Sequence, residues 1–353
     1  MTTEIQGKCH CGACTFSIPI PTASLPLSAW ICSCNTCRKT HGVLGTYHSS
    51  IPAPPASAIS PLTLYKTSAD TFRYFCSTCG CHALEGDPAT NDFVIATGCV
   101  QQDPGDKTQI FNFRNIFCVD DTRDGGMSDW LPLTRWQGIK SHLPDDWQPV
   151  KPSSAAPSKD DKLHASCHCG GVSFDISRPD FEHPAFRKTY PNLHLPGPYE
   201  PRQPETSIIA NDASKYVAGN CVCQSCRLTN GGDIINWCFV PTSIIILPNG
   251  GLLSDQQPEN FTFGTLKTYR SSEDVVRSFC GKCGATVFYA VEDRSGWVDV
   301  AVGLLDAEEG SRAESWLEWR NGRISNSEDA RDVYLMEQLR EGLLSWSWGE
   351  TEE

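Results

Sequence analysis

Of the 19 cysteines in this 353-residue chain, fourteen fall into short blocks whose spacing suits metal ligation. Cys9 and Cys11 form a CxC pair inside a CHCG block, and Cys76 and Cys79 form a CxxC pair followed by Gly80. Residues two apart on an extended segment project from one face, so a CxC pair can aim both sulfurs at one ion. A CxxCG turn adds two more sulfurs, because glycine accepts a positive φ and lets backbone N–H groups approach the thiolates. Four thiolates are the closed tetrahedral set of a structural zinc site, with Zn–S about 2.3 Å. This assigns Cys9, Cys11, Cys76 and Cys79 to one zinc, and Cys167, Cys169, Cys280 and Cys283 to its twin.

A CxCxxCR block lies between the outer pairs in each case, at Cys32, Cys34 and Cys37 and again at Cys221, Cys223 and Cys226. Each supplies three sulfurs and no obvious fourth. Three protein ligands and one open position let zinc act as a Lewis acid, holding a thiol as thiolate or polarising a carbonyl oxygen. Either role suits making or breaking a carbon–sulfur bond. An open site is expected at the first block, while at the second the open and closed readings balance. Five cysteines stand outside the scheme: Cys14, Cys81, Cys99, Cys118 and Cys238. Cys14, Cys99 and Cys118 lie in strand-like stretches and read as small core hydrophobes. Cys81 and Cys238 are the two expected to intrude on a zinc site if one is closed.

Other polar residues near the blocks are weighed in the same way. Arg38 and Arg227 follow the third cysteine of each block and suit either an ion pair or a substrate carboxylate. His41 and His48 are candidate acid–base groups beside the first block. His10 and His168 should point away from their neighbouring sulfurs by strand alternation, as exposed or hydrogen-bonded side chains. A redox reading of the CxxC pairs is weaker, since nothing marks a helix opening there.

The elements that must position these residues come as a repeat. CHCG, CxCxxCR and RxFCxxCG occur twice in one order, which predicts two homologous domains over 1–147 and 162–353. Residues 148–161 are rich in Pro, Ser, Ala and charge without periodicity, and read as a linker. Short strands are expected at Cys14–Ile18, Asp92–Thr97, Ile110–Val119, Val172–Ile176, Ile235–Val240, Thr286–Ala290 and Trp297–Val302. Val333, Met336, Leu339 and Leu343 recur at helical spacing within Ser327–Ser345, which predicts an amphipathic helix capping the second domain. A Pro-rich insertion over about 178–218 separates the first two blocks of the second half and reads as a surface excursion rather than a substrate lid.

Composition narrows the partners. The formal charge of −13 disfavours generic nucleic-acid binding. Residues 1–150 carry 10 basic and 13 acidic side chains, so the acidity sits mainly in the second half. No apolar run approaches the roughly 18 residues of a membrane span. The start MTTEIQGKCHCGAC lacks a secretory pattern, so the expectation is a cytoplasmic protein whose cysteines are thiols or metal ligands.

The three blocks, in this order and found twice, resemble the glutathione-dependent formaldehyde-activating enzyme family, whose domain also occurs in centromere protein V. The resemblance includes the strand 93–98 and its counterpart 298–303, and excludes the linker, the insertion and the C-terminal helix. It implies a mainly β, Mss4-like fold of small curled sheets, with a structural zinc on the outer four cysteines and a catalytic zinc on the middle three. The implied activity joins formaldehyde to glutathione as S-hydroxymethylglutathione, a carbon–sulfur lyase reaction. Tandem copies and the insertion depart from the compact single-domain pattern, which leaves the substrate open. The resulting expectation is a zinc-dependent lyase-type enzyme acting on a glutathione-like thiol adduct of an aldehyde. An enzyme of specialised metabolism on a larger thiol adduct, and a non-catalytic zinc module for protein contacts, are the alternatives. The sequence does not say which half turns over, nor the oligomeric state.

Overall fold

A computed structural model describes the chain apart from residues 88, 103–105, 107, 154–155, 183–186, 188–206 and 350–353. Seven strands in each half form a sheet of one shared order. In the first half it runs Phe111–Phe117, Leu27–Cys32, Thr46–Ile51, Asp92–Ala96, His82–Asp87, Phe72–Phe75, Thr63–Lys66. In the second it runs Leu317–Ser325, Tyr216–Cys221, Ile235–Pro241, Trp297–Ala301, Thr286–Val291, Val275–Cys280, Leu266–Arg270. The first sheet continues through Thr134–Gln137 and Ser141–His142 to nine strands. Each half adds a small sheet carrying its CHCG block, Thr2–Lys8 with Thr15–Pro21 and Lys162–Ser166 with Ser173–Ser177 and Ile245–Ile246. The fold is thus mainly β, as the residue pattern predicts. The seven expected strands are present with shifts of up to three residues at their ends.

Most neighbours in these sheets are antiparallel, and one pair in each seven-strand order is parallel. Leu27–Cys32 runs parallel to Phe111–Phe117 with Cys32 opposite Phe117, and Tyr216–Cys221 runs parallel to Leu317–Ser325 with Cys221 opposite Ser325. That register brings a distant stretch of chain to the end of each CxCxxC strand.

The two halves pack face to face through contacts that they exchange reciprocally. His10 N–H donates to the Leu228 carbonyl at 2.9 Å, and His168 N–H donates to the Lys39 carbonyl at 3.0 Å. The His10 ring meets the Tyr269 hydroxyl at 2.8 Å, and the His168 ring meets the Tyr65 hydroxyl at 2.7 Å. Gly98 N–H reaches the Gly231 carbonyl at 3.0 Å, as Gly303 N–H reaches the Gly42 carbonyl at 3.2 Å. Such self-complementary exchange is the pattern of a two-fold interface, here built within one chain. One cluster of buried apolar residues runs through both halves, from Ile5 and Phe16 to Leu335 and Leu343. Among the described residues of 148–161 there is no helix or strand.

Close backbone approach at this interface requires glycine. A Cβ on Gly303 would lie 2.2 Å from Val43 N and 2.4 Å from its carbonyl oxygen, and one on Gly98 would lie 2.4 Å from two carbonyl oxygens. Gly303→Val is therefore expected to destabilise the whole chain by about 2–3 kcal/mol through overpacking. A single lowered melting transition, reported alike by probes in both halves, is the predicted result.

The C-terminal helix spans Val333–Gly349, beginning later than predicted because Ser327–Asp329 forms a separate 3-10 turn. Leu335, Met336, Leu339 and Leu343 are buried, whereas Val333 is only half-buried. The helix does more than cap the second half. Gly342 lies against the Trp130 backbone, and the Trp346 ring meets Trp130 edge-on at 5.7 Å, so it also seals the first half.

Candidate metal centres and the cleft beside them

The outer cysteines converge as the spacing predicts, although by a different local route. Cys9 and Cys11 sit in a tight turn after the strand Thr2–Lys8, closed by Gly12 N–H to the Cys9 carbonyl at 3.2 Å. The turn, not strand alternation, brings their sulfurs to 3.5 Å. Cys11 and Cys76 are also 3.5 Å apart, and the four sulfurs of Cys9, Cys11, Cys76 and Cys79 lie within 4.8 Å of one another. Cys167, Cys169, Cys280 and Cys283 repeat the arrangement. A tetrahedral ion with Zn–S of about 2.3 Å needs sulfurs about 3.8 Å apart, so both sets fit zinc. Gly80 and Gly284 close the CxxC turns at φ 82°, each donating its N–H to the first cysteine's carbonyl at 2.8 Å. Further donors face the sulfurs: Cys14 N–H on Cys9 Sγ and Val172 N–H on Cys167 Sγ, both at 3.3 Å. N–H groups aimed at sulfur favour the thiolate over the thiol.

The middle blocks sit where a strand gives way to a helix. Cys34 caps the helix Asn35–His41, with its Sγ accepting from Cys37 N–H at 3.3 Å, and Cys223 caps Gln224–Asn230 through Cys226 N–H at the same distance. No helix opens at the outer CxxC turns, in keeping with the sequence reading, and one does open at the CxxC pair inside each middle block. It does so with a third sulfur beside the pair, since Cys32 or Cys221 ends the adjoining strand. The sulfurs of Cys221, Cys223 and Cys226 lie within 4.8 Å of one another. In the first half the corresponding group is Cys32, Cys34 and Cys118, while Cys37 lies against Cys32 and Cys34.

Cys118 is thus a member of the centre and not the core hydrophobe expected of it. Neither anticipated intruder reaches a metal centre. Cys81 pairs with Cys99 in the core at 3.4 Å, and Cys238 is buried in its strand with its thiol toward the Val300 carbonyl at 3.6 Å. A sulfur from outside the CxCxxC block thus joins the first middle group, and none joins the second.

The guanidinium groups that touch the centres are also not those anticipated. Arg73 Nη2 lies 3.2 Å from Cys37 Sγ, and Arg277 Nη1 lies 3.4 Å from Cys226 Sγ. Both are the leading arginine of the RxFCxxCG block, a recurrent residue whose role depends on strand pairing. Arg227 instead donates to the carbonyls of Gly98 and of Val100, the latter at 2.8 Å, and so serves the interface. Arg38 is buried and donates to Asn35.

His41 and His48 do not face solvent near the first block. His41 is buried with its ring 3.9 Å from that of His82, and His48 is buried 3.7 Å from Glu85. Burial lowers the pKa of both below the usual imidazole range, and takes His82 down to about 3. These are neutral core rings, in an environment unsuited to taking up protons at neutral pH.

Beside the second middle block lies a cleft of about 540 Å³ that reaches Cys221, Cys223 and Cys226. Its wall holds Arg277, Arg294, Arg320 and Arg323, a cationic lining in an acidic chain. Arg294 pairs with Asp299 at 2.7 Å. Burial pushes the Asp299 carboxyl up to about 6, opposed by Arg294, and pushes the neighbouring Tyr289 hydroxyl up to about 12. Ser207 and Ile208 also line the cleft, so the C-terminal end of the insertion is part of the site wall. Most of the predicted insertion lies outside the described residues.

No curated protein matches the chain. The family model described as glutathione-dependent formaldehyde-activating enzyme matches residues 4–120 and 209–319, more than half of the chain in two copies. The second match begins after Cys167 and Cys169, yet those residues return to Cys280 and Cys283 as their counterparts do in the first half. With two matched stretches and two cysteine clusters in each repeat, the chain belongs to the glutathione-dependent formaldehyde-activating enzyme family.

Proposed function

We propose that this protein is a zinc-dependent carbon–sulfur lyase-type enzyme, acting at the cleft of its second half on the adduct of an anionic, glutathione-like thiol with an aldehyde. The observation that carries this reading is the opening of Cys221, Cys223 and Cys226 into an arginine-lined cleft. Zinc bound by those three thiolates would supply a Lewis-acid position for a thiol or a carbonyl oxygen.

In the forward direction the S–H bond breaks, a sulfur lone pair forms a bond to the aldehyde carbon, the carbonyl π pair moves to oxygen, and the proton released from the thiol ends on that oxygen. Nothing is oxidised or reduced. The chain's own residues serve binding and proton exchange. Arg323, exposed at the cleft, suits a carboxylate of a peptide thiol, since guanidinium pairs with carboxylate in a fixed planar geometry. Asp299, its carboxyl raised by burial to about 6, stands in the cleft wall as a candidate group for proton exchange, and Arg277 balances negative charge at Cys226. A reducing compartment such as the cytoplasm suits so many thiols. A larger thiol adduct is the second reading, supported by Ser207 and Ile208 in the cleft wall.

Two-dimensional exchange NMR on glutathione and formaldehyde, with purified protein, tests the reading. The protein should accelerate interconversion of free thiol and hydroxymethyl adduct. Arg323 is exposed at the cleft, so Arg323→Glu should raise KM for glutathione about tenfold, near 1.4 kcal/mol, and leave that for neutral 2-mercaptoethanol unchanged. Acceleration confined to larger thiols or aldehydes would favour the second reading. No acceleration with any thiol would leave a non-catalytic zinc module.

A further inference from the structure

We propose that Cys118 is the fourth ligand of the first half's middle centre, closing it as a four-thiolate zinc site, and that Asn326 at the same place leaves the second centre open. The equivalence rests on sheet register. Phe117 lies opposite Cys32 and Ser325 opposite Cys221 in the matching parallel pairs, so the next residues are Cys118 and Asn326. Both adopt the left-handed region, at φ 57° and 56°. The same backbone bend therefore turns each side chain back toward the sulfurs.

What the side chains present there is different. Cys118 joins Cys32 and Cys34 with all three sulfurs within 4.8 Å. The hairpin that extends the first sheet pins it, through Cys118 N–H to the Gly138 carbonyl at 2.9 Å and Val119 N–H to the Trp136 carbonyl at 3.0 Å. Asn326 instead offers an amide N–H donor to Cys221 Sγ at 3.4 Å. An amide nitrogen has no free lone pair for a metal, whereas a thiolate is among zinc's strongest ligands. The 540 Å³ cleft opens beside Asn326.

One motif thus serves two purposes in one chain. The first half is a scaffold with two closed centres, and the second keeps the coordination site that chemistry needs. This goes beyond the lyase reading and does not depend on it, because the test reads the metal and not turnover.

The test uses the full chain loaded with cobalt, titrated with 2-mercaptoethanol and followed by its visible absorption. Of four bound ions, the wild type should show one whose spectrum responds to the thiol, Cys118→Asn two, and Asn326→Cys none. Two responding ions in the wild type would overturn the proposal. So would a single responding ion in a Cys118→Asn protein that still holds four. Asn326→Cys supplies an independent arm should Cys118→Asn fail to fold: persistence of the thiol response there would equally overturn it.

Discussion

Cys223→Ala should abolish turnover of the thiol–aldehyde adduct, with a loss on the order of 10³-fold or to background. Cys223 is one of only three sulfurs at the open centre and also caps the helix Gln224–Asn230. Removing it leaves two ligands, too few to hold the ion against water, and frees the Cys226 N–H from its acceptor. Bound zinc should fall by one ion, measured by mass spectrometry of the native protein. The cap itself accounts for only about 1 kcal/mol of stability, so the fold should survive. Unimpaired turnover in a protein that has lost this ion would sink the assignment of chemistry to the second half. The matched substitution Cys34→Ala separates the halves: it should cost stability and one zinc, but leave kcat within about twofold, because Cys34 lies at the centre we assign to structure.

The second large effect concerns the outer centres. Cys79→Ser is expected to prevent native folding of the chain, read as loss of near-ultraviolet dichroism and of a cooperative thermal transition. Zinc held by a structural thiolate set stabilises small domains by about 10–16 kcal/mol at neutral pH. Whole domains are stable by only about 5–15 kcal/mol. Cys79 is buried in the core shared by both halves, so a vacated centre cannot be confined to one of them. The control is Cys238→Ala, which removes a sulfur of equal burial with no metal nearby and should cost only about 1–2 kcal/mol. Comparable losses from the two substitutions would remove the case for a structural ion at the Cys79 centre.

Local chemistry was readable wherever ligands lie within a few residues of each other or recur in matched blocks. The pairs of the outer sets, the three sulfurs of the second middle block and the strands around them follow from short-range spacing. What failed were readings that needed to know which distant strand lies alongside. Cys118 looked like one more apolar strand residue because its partner strand, Leu27–Cys32, is far away in the chain. Arg38 and Arg227 looked closest to the sulfurs in sequence, yet Arg227 turns to the interface and Arg38 back to Asn35 of its own helix, while a neighbouring strand delivers Arg73 and Arg277. His41 and His48 followed an apparent site and prove to be core rings: the second half covers His41, where Asn230 donates to its carbonyl at 2.8 Å, and His48 is buried within its own half beside Glu85.

The sequence alone determined the duplication, the mainly β character, the family and the sulfurs that each half commits to its outer centre, because a repeated spacing constrains geometry over the reach of a single turn. Only the tertiary structure decided that the halves embrace around a two-fold-like interface, and that Cys118 joins Cys32 and Cys34 at one middle centre while the other faces a cleft. That decision belongs to a parallel strand pair, whose register is set by packing across the whole sheet, and to the single residue, Cys118 or Asn326, that this register delivers to the end of it.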